Sequence, residues 1–364
     1  MMSQPAGQTR AEQTRAEQTQ AEQSGGAQVA LVATLGLLPF LDEIGADAGQ
    51  VMGPAGIDAS RLNGASEGSL ALSTYVDMME RAAKISRCES FGLRYGRQFP
   101  ASSHGLVGDI ALAAPTIGTA LRQFVDLFPL HQEASQVGLR AEGGLLRLEY
   151  RILDWRIFDR RQDAELTIAM FQNLLRHAFG PGFVPEEVHF EHPNPGHCGE
   201  HEESFGAPVY FGQRTNAIAF RPRDLNRAMP GTDAGRFSRL LAEARMRRLP
   251  RGAVPLAERV RGEIRARLPD GYPPMEDVAD ALGIARWTLQ RRLGALGLSY
   301  SDTVQQVRQA LALSYLAMPH LSISGIGQLL GYAELSPFSR ACRRWFGAPP
   351  EQMRAARLCG PKTF

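Results

Sequence analysis

Two short segments near the C-terminal end repeat one arrangement of polar side chains around an apolar residue. The polar residues are Trp287, Gln290 and Arg291 in the first segment and Ser336, Ser339 and Arg340 in the second. A helix would bury the apolar residue, Leu289 or Phe338, and expose the polar ones. Arginine and glutamine can pair bidentately with the edges of guanine and adenine in the major groove of DNA. The chemistry predicted by this pattern is hydrogen-bond recognition of bases.

Polar residues around these positions could bind the phosphate backbone. The candidates are Arg286, Thr288, Arg292, Arg343 and Arg344. The net charge of +2 hides an uneven distribution, because residues 251–364 contain 15 basic and 9 acidic side chains, whereas residues 1–250 contain 25 and 29. Binding to a polyanion requires a basic excess on the segment that carries the base readers, and the sequence has one there.

Both segments belong to a unit that occurs twice. Val278, Ala279, Leu282, Gly283 and Ala285 recur 48 positions later as Ile326, Gly327, Leu330, Gly331 and Ala333. Each copy predicts a short helix, a turn in which glycine adopts a positive φ, and a second helix, which is the helix-turn-helix plan. A duplicated motif in register is a more specific signal than a single one.

Residues 301–317 predict a further helix between the two motifs. Val304, Val307, Leu311 and Tyr315 fall on one face at helical spacing. A helix of this length, at about 1.5 Å per residue, is roughly 25 Å long. Such a rod could hold the two recognition helices about 34 Å apart, one turn of DNA, on one side of the duplex.

Residues 256–357 resemble the DNA-binding domain of AraC/XylS-type bacterial transcription regulators. The matching stretches are residues 286–293, 307–308, 310–316, 329–332, 338–341 and 343–347, together with Pro350. The resemblance implies that the six polar residues named first are the base readers. It also implies double-stranded DNA, RNA polymerase and a second copy of the chain as partners, with activation as the commoner mode of regulation.

Three positions depart from the usual pattern of that family. Ala285 stands where the family usually has serine, which removes a helix N-cap worth about 1 kcal/mol. Gly325 and Gly327 replace a glutamate and an alanine, and each costs up to about 1 kcal/mol of helix propensity. We therefore expect both glycines in the middle of a helix, and the second motif to be the less stable one.

The N-terminal part predicts an α+β domain after a tail. Residues 8–23 repeat Gln-Thr-Arg-Ala-Glu with one substitution and have no apolar face, so residues 1–28 are expected to be disordered. Periodicity predicts helices at 31–41, 70–85, 115–127 and 156–179, a β-hairpin at 135–141 and 145–153, and short strands at 187–191, 209–211 and 217–220.

Stretches within residues 171–220 are similar to the arabinose-binding-type sensor domain of a large AraC subgroup. This resemblance implies a sensor for a small molecule or nucleotide at 29–230, but it assigns no ligand-binding residue. A linker at 231–255 and an all-α DNA-binding domain at 256–364, with two helix-turn-helix motifs joined by a linker helix, complete the expected organisation. The apolar stripe Phe237, Leu240 and Leu241 in the linker fits a coupling or dimer helix and a solvated linker equally well.

Other kinds of site are less well supported. One cluster contains possible zinc ligands: His189, His192, His197, Cys198 and His201. Its spacing follows no usual ligand pattern, so we predict a structural loop with no metal and no cofactor. No motif predicts a catalytic residue. The four cysteines have no paired spacing and indicate reduced thiols in the cytoplasm. The apolar run at 29–41 is too short to cross a membrane.

Three functions compete on these observations. The leading hypothesis is a cytoplasmic bacterial transcription regulator that binds an effector and DNA and acts as a dimer. The first alternative is an architectural DNA binder without an effector. The second, an enzyme fused to a DNA-targeting domain, is disfavoured by the missing catalytic motif.

Overall fold

The computed structural model of the chain describes residues 26–57, 62, 68–196, 199–247 and 255–358. Two hydrophobic cores are separate in sequence, one between Val29 and Ala244 and the other between Val260 and Cys342. The first lies in a mixed domain of helices and strands and the second in a helical domain. The predicted fold class, an α+β domain followed by an all-α domain, is confirmed. Most of the predicted tail lies outside the described residues.

The elements of the N-terminal domain, called the sensor domain below, follow one another from residue 28 to residue 246. They are β1 (Gln28–Ala30), α1 (Leu37–Glu43), α2 (Ala48–Met52), β2 (Ser69–Ala71), α3 (Leu72–Ser86), α4 (Phe91–Gln98), α5 (Gly105–Ala113), α6 (Ile117–Leu127), β3 (Ser135–Glu142), β4 (Leu145–Ile152), α7 (Arg161–Phe179), β5 (Glu187–His189), α8 (Gly199–Phe205), β6 (Val209–Tyr210), β7 (Asn216–Phe220) and α9 (Ala234–Met246).

A five-stranded sheet forms one layer of the sensor domain, with strand order β3-β4-β7-β5-β6. The predicted hairpin is confirmed, because β3 and β4 pair antiparallel from Ser135 opposite Ile152 to Glu142 opposite Leu145. Strands β5 and β6 pair in parallel, and the other pairs are antiparallel. β1 and β2 form a separate two-stranded sheet.

Helix α7 is the central helix of this domain and is buried along most of its length. It crosses α4 closely at two glycines. A Cβ atom at Gly96 would lie 2.5 Å from the carbonyl oxygen of Leu166, and one at Gly92 would overlap the backbone of Gln162. Since real Cβ atoms do not approach backbone this closely, the crossing requires glycine at both positions.

Three predicted boundaries are wrong for local reasons. α7 begins at Arg161 instead of 156, because the Asp154 carboxylate accepts hydrogen bonds from the Arg156 backbone N–H (3.1 Å) and guanidinium, and this turn competes with helix. The helix expected at 31–41 is interrupted by Gly36, whose φ is 78°. The helix expected from residue 70 begins at Leu72, because Ser69–Ala71 pairs with β1.

The C-terminal domain contains seven α-helices among the described residues. They are α10 (Leu256–Arg267), α11 (Met275–Ala281), α12 (Arg286–Ala295), α13 (Tyr300–Leu316), α14 (Ile323–Leu329), α15 (Leu335–Phe346) and α16 (Pro350–Leu358). The pairs α11/α12 and α14/α15 are the predicted helix-turn-helix motifs, with α13 between them. Gly283 and Gly331 have the expected positive φ, at 67° and 73°.

Helix α9 lies in the predicted linker, whose sequence fitted a coupling or dimer helix and a solvated linker equally well. Its N-cap Asp233 accepts a hydrogen bond from the Arg236 backbone N–H, and the Arg236 guanidinium lies 2.6 Å from Asp109 of α5. The apolar stripe of α9 packs against the sensor core. The helix therefore packs on the sensor domain, while residues 248–254 lie outside the described part of the chain.

Within the described ranges, no helix is long and apolar enough to span a membrane. Cys88 and Cys342 are free thiols. The other two cysteines, Cys198 and Cys359, lie outside those ranges.

Candidate nucleic-acid interface

Helix α12 buries its apolar residues and exposes the first set of predicted base readers. Leu289 and Leu293 are buried, whereas Trp287, Gln290 and Arg291 are exposed. The Arg291 guanidinium carbon lies 5.1 Å from the centroid of the Trp287 ring, within cation–π range. This contact orients the arginine along the exposed face of the helix.

The start of α12 carries the predicted phosphate contacts of the first motif. Ala285 occupies the N-cap position and makes no side-chain cap hydrogen bond, as expected. Arg286 forms an exposed ion pair with Glu276 of α11 at 3.0 Å, which stabilises the motif by at most about 1 kcal/mol. Thr288 is half-buried and Arg292 is exposed. All three side chains keep surface that is open to a partner.

Helix α15 carries the second set of predicted base readers, on a different helix from the first set. Phe338, Ala341 and Cys342 are buried, Ser336 and Arg340 are exposed, and Ser339 is half-buried. The N-cap residue, Glu334, makes no side-chain cap hydrogen bond. The burial pattern is the one expected of a recognition helix, with its polar side directed outward.

The two arginines at the end of α15 have different surroundings. Both are exposed. The Arg344 guanidinium donates a hydrogen bond to the side-chain carbonyl of Gln305 in α13 at 3.2 Å and lies 5.9 Å from the Trp345 ring. No ion pair involves Arg343 within the described ranges, so it is the cleaner candidate for a phosphate contact.

The turn of the second motif is held by Arg308, a role that the sequence did not predict. Arg308, which is buried in α13, donates a hydrogen bond to the Gly331 carbonyl at 3.0 Å. Its guanidinium carbon lies 4.4 Å from the ring centroid of Tyr332 and 5.5 Å from that of Tyr272. Arg308 lies within a stretch that carries the family resemblance, but the sequence alone gave it no role.

Helix α14 differs from the expectation in the position of Gly325. The Ser322 hydroxyl caps the helix by accepting a hydrogen bond from the Gly325 N–H at 2.9 Å, so Gly325 lies in the first turn and not in the middle. Gly327 is buried, and a Cβ there would lie 3.5 Å from the Phe338 ring, an ordinary contact. A small residue fits that position, and alanine would fit as well as glycine.

The cap geometry predicts the effect of Gly325→Glu. Glutamate three residues after Ser322 completes a capping box, which should stabilise the C-terminal domain by less than about 1 kcal/mol. The new Cβ would lie 3.1 Å from the Ser322 hydroxyl oxygen, which offsets part of the gain. Thermal denaturation measures the effect, with Gly325→Ala as the control that adds the same Cβ without a carboxylate. Equal stabilisation by both substitutions would show that no capping box forms.

The histidines considered as metal ligands are distributed over two places. His189 faces Arg147 and Glu187. His192 and His201 surround the buried Glu165 carboxylate, at 3.6 and 3.0 Å. No cluster of three or more histidine, cysteine or acidic residues suited to a metal occurs among the described residues, and His197 and Cys198 lie outside them.

The carboxylate of Glu165 is the centre of the second group. Burial raises its pKa, but the His201 ring 3.0 Å away and the charge of Arg161 outweigh burial and hold the pKa at about 2. Burial also lowers the pKa of His192 to about 4, so this ring is neutral near pH 7. The arrangement ties α7 to α8 and to the segment that precedes α8.

Helix α10 docks on the sensor domain through charged side chains. Glu263 pairs with Arg151 of β4 and with Arg267 of its own helix. Arg265 donates hydrogen bonds to the carbonyls of Ile157 and Phe158, both at 3.3 Å. The contacts with Arg151, Ile157 and Phe158 join residues more than 100 positions apart in the sequence, which no local pattern could reveal.

The segment that α10 contacts also touches α13. Asp159 accepts a hydrogen bond from the Ser314 hydroxyl. Phe158 packs against the second hydrophobic core, and the Arg261 guanidinium carbon lies 4.6 Å from the Trp155 ring. Asp159 therefore contacts the helix that joins the two helix-turn-helix motifs, while Trp155 contacts α10.

Comparison with known proteins covers both domains. Residues 45–229 match the family described as the arabinose-binding domain of AraC transcription regulator, N-terminal, and residues 278–356 match a helix-turn-helix domain. The chain is 34% identical over 294 residues to the HTH-type transcriptional regulator VirS of Mycobacterium tuberculosis, covering 79% of this chain and 84% of VirS.

Two further proteins are similar to the chain. It is 28% identical over 271 residues to the ornithine utilization regulator of Pseudomonas aeruginosa, covering 73% of this chain and 79% of that protein. The crystal structure of the transcriptional regulator CdpR from Pseudomonas aeruginosa aligns with 22% sequence identity and a TM-score of 0.42, covering 84% of this chain and 96% of CdpR.

Proposed function

The chain belongs to the AraC family of transcription regulators, and from that premise we propose that it reads an operator with two recognition helices, α12 and α15. It is an effector-responsive DNA-binding regulator with an arabinose-binding-type sensor domain. In our proposal it acts as a homodimer and activates transcription through RNA polymerase. It does so in the cytoplasm, which contains the bacterial DNA.

The observation that carries the proposal is the orientation of the two recognition helices. Each buries its apolar residues and exposes arginine together with a second hydrogen-bonding side chain. Arg291 with Gln290 in α12 and Arg340 with Ser336 in α15 are the pairs that we assign to base edges. Family membership supports action by binding and not by catalysis.

The experiment that tests this function is binding of the purified chain to promoter DNA and to random DNA at a fixed salt concentration. We expect tighter binding to the operator by a factor of about 1,000 or more, the range for specific regulators. The architectural alternative predicts equal affinity for both DNAs. It also predicts that no small molecule changes the affinity.

The phosphate assignment predicts how Arg343→Ala affects binding. Affinity should fall by a similar factor on operator and random DNA, and the slope of log K against log salt should become shallower by about 1, because one phosphate contact is lost. Salt titration of DNA binding measures the slope. Arg122→Ala, on α6 of the sensor domain, is the control and should leave it unchanged. A loss confined to the operator would assign Arg343 to a base.

We also predict that the chain forms a homodimer through its sensor domain. The motivation is the acidic and apolar-rich composition of that half, and β3, which lies at the edge of the five-stranded sheet. Unpaired backbone groups on an edge strand favour pairing with another chain. Sedimentation should give a dimer for the full chain and a monomer for residues 250–364. A monomeric full chain, both free and on its operator, would contradict the prediction.

A further inference from the structure

A cavity of about 450 Å³ lies between the sensor domain and the DNA-binding domain. Its sensor wall consists of the C-terminal half of α3, residues 158–164 around the start of α7, and residues 191–195 after β5. Its other wall consists of Arg265 of α10 and residues 314–320 at the end of α13. Any molecule in this cavity contacts both domains.

The size of the cavity suits a small organic molecule. Ligand pockets are commonly about 300–1,000 Å³ in volume. At about 30 Å³ for each water molecule in the liquid, the cavity has room for roughly fifteen waters, and hence for a ligand with a similar number of non-hydrogen atoms.

Apolar side chains from both domains line part of the cavity. Ala83, Phe158 and Ala164 belong to the sensor domain, and Ala317 and Met318 to the DNA-binding domain. Burial of apolar ligand surface against such groups stabilises a complex by about 25 cal/mol for each Å². The lining therefore favours a ligand with an apolar body.

Some of the charged residues in the lining are already paired. Arg160 lies 2.5 Å from Glu191, and Arg161 lies 2.9 Å from Glu165. By contrast, Lys84 and Arg87 form no ion pair within the described ranges. These two cations, both exposed at the end of α3, leave positive charge that a ligand can neutralise.

Arg265 is the cationic group on the DNA-binding side. Two of its N–H groups are used on the carbonyls of Ile157 and Phe158, whereas a guanidinium has five. It forms no ion pair in the part of the chain that the structure describes. Burial lowers its pKa, which indicates that its charge is poorly solvated. A planar guanidinium with free donors at a cavity is suited to bind a carboxylate.

The acidic residues of the lining do not cancel these cations. Burial raises the pKa of Glu80 to about 7, so this group is partly uncharged near neutral pH. Asp159 is hydrogen-bonded to Ser314, and Glu191 is paired with Arg160. Glu89 is exposed. Three cations without an ion pair, Lys84, Arg87 and Arg265, thus face the carboxylates of Asp159 and Glu89 and the partly uncharged Glu80 within the described lining. The small positive excess favours an anion over an amine.

We propose that this cavity is the effector site, and that it binds an organic carboxylate with an apolar body of up to roughly fifteen non-hydrogen atoms. The carboxylate binds Arg265, and the apolar body packs on Phe158 and Met318. This inference rests on the proposed function of an effector-responsive regulator. Because α13 joins the two helix-turn-helix motifs, a ligand at its C-terminal end changes the position of the DNA-binding domain relative to the sensor and hence the affinity for DNA.

Calorimetric titration of the full chain with straight-chain carboxylates of four to fourteen carbons, and with the alcohols of equal length, tests the proposal. We expect a carboxylate to bind and the matching alcohol to bind more weakly. Arg265→Gln should weaken carboxylate binding by roughly 10- to 100-fold, because a hydrogen-bonded charge is lost. Arg259→Gln, on the same helix but away from the cavity, is the matched control and should bind like the wild type.

A second variant keeps the test independent of the domain contacts that Arg265 makes. Ala317→Phe fills the cavity from the exposed end of α13 and should abolish binding of the best carboxylate while Arg265 stays in place. Binding of no carboxylate in the series, tighter binding of the alcohols, or wild-type binding by Ala317→Phe would each overturn the proposal.

Thermodynamic linkage between carboxylate binding and operator binding distinguishes a failure of the effector site from a failure of the proposed function. If both hold, the carboxylate changes operator affinity by some factor, and operator DNA changes carboxylate affinity by the same factor. Sequence-specific DNA binding without carboxylate binding would contradict the effector site alone. Carboxylate binding without operator preference would contradict the proposed regulator and leave the cavity as a ligand site.

Discussion

Replacing Arg291 with alanine is expected to weaken operator binding by about 1–3 kcal/mol, or roughly 5- to 150-fold, and to relax preference at one base position. Arg291 is exposed on α12 and lies against the Trp287 ring, which holds the guanidinium near the helix surface. A preoriented guanidinium can donate two hydrogen bonds to guanine with little loss of side-chain entropy. The measurement is a titration of operator DNA and of single-base variants of it.

Gln290→Ala is a second test of the same helix face, because glutamine pairs with adenine through two hydrogen bonds. We expect it to relax preference at a different base position from Arg291→Ala. Arg343→Ala serves as the comparison, since we assign that residue to phosphate. If Arg291→Ala lost affinity equally on operator and random DNA, Arg291 would not be a base reader.

Gly331→Ala is expected to destabilise the DNA-binding domain by about 2–5 kcal/mol, through a left-handed backbone and a steric clash. Gly331 has a φ of 73°, and a Cβ there would lie 2.6 Å from the Leu268 carbonyl and closer still to that of Gly271. The turn of the second motif would have to move away from the end of α10. The Arg308 hydrogen bond to the Gly331 carbonyl would be lost with it.

Gly283→Ala is the matched control for this substitution. Gly283 has a φ of 67°, but nothing lies within 4 Å of a Cβ at that position. Only the backbone cost of about 1–2 kcal/mol should remain. Urea denaturation of residues 255–364, which contain the second core, measures both variants. Equal destabilisation of the two variants would mean that the steric clash at Gly331 adds nothing to the loss of unfolding free energy.

The DNA-binding domain was predictable because its signals are local. Gly283 and Gly331 end the first helix of each motif, and the apolar positions of α13 recur at helical spacing, so neighbouring residues decide these elements. The error at Gly325 is also local. Ser322, three residues before Gly325, is the N-cap of α14, so Gly325 lies in the first turn of the helix. Periodicity does not show where a helix begins when a serine competes for the first turn.

The contacts between the domains could not be predicted from the sequence. Arg265 reaches the carbonyls of residues 157 and 158, and Glu263 pairs with Arg151, across more than 100 residues. Buried or half-buried arginines look like surface charge in a sequence, because their partners are distant along the chain. The cavity between the domains has the same origin, since its walls come from five separate parts of the sequence.

Selection of binding sites from random DNA by the purified full chain tests the central claim most directly. Two recognition helices joined by α13 predict an enriched sequence with two conserved blocks about 10 base pairs apart, one turn of the duplex. Arg291→Ala should alter one block and leave the other unchanged. The absence of any enriched sequence, or one short block that Arg291→Ala does not alter, would contradict the claim that α12 and α15 read DNA together.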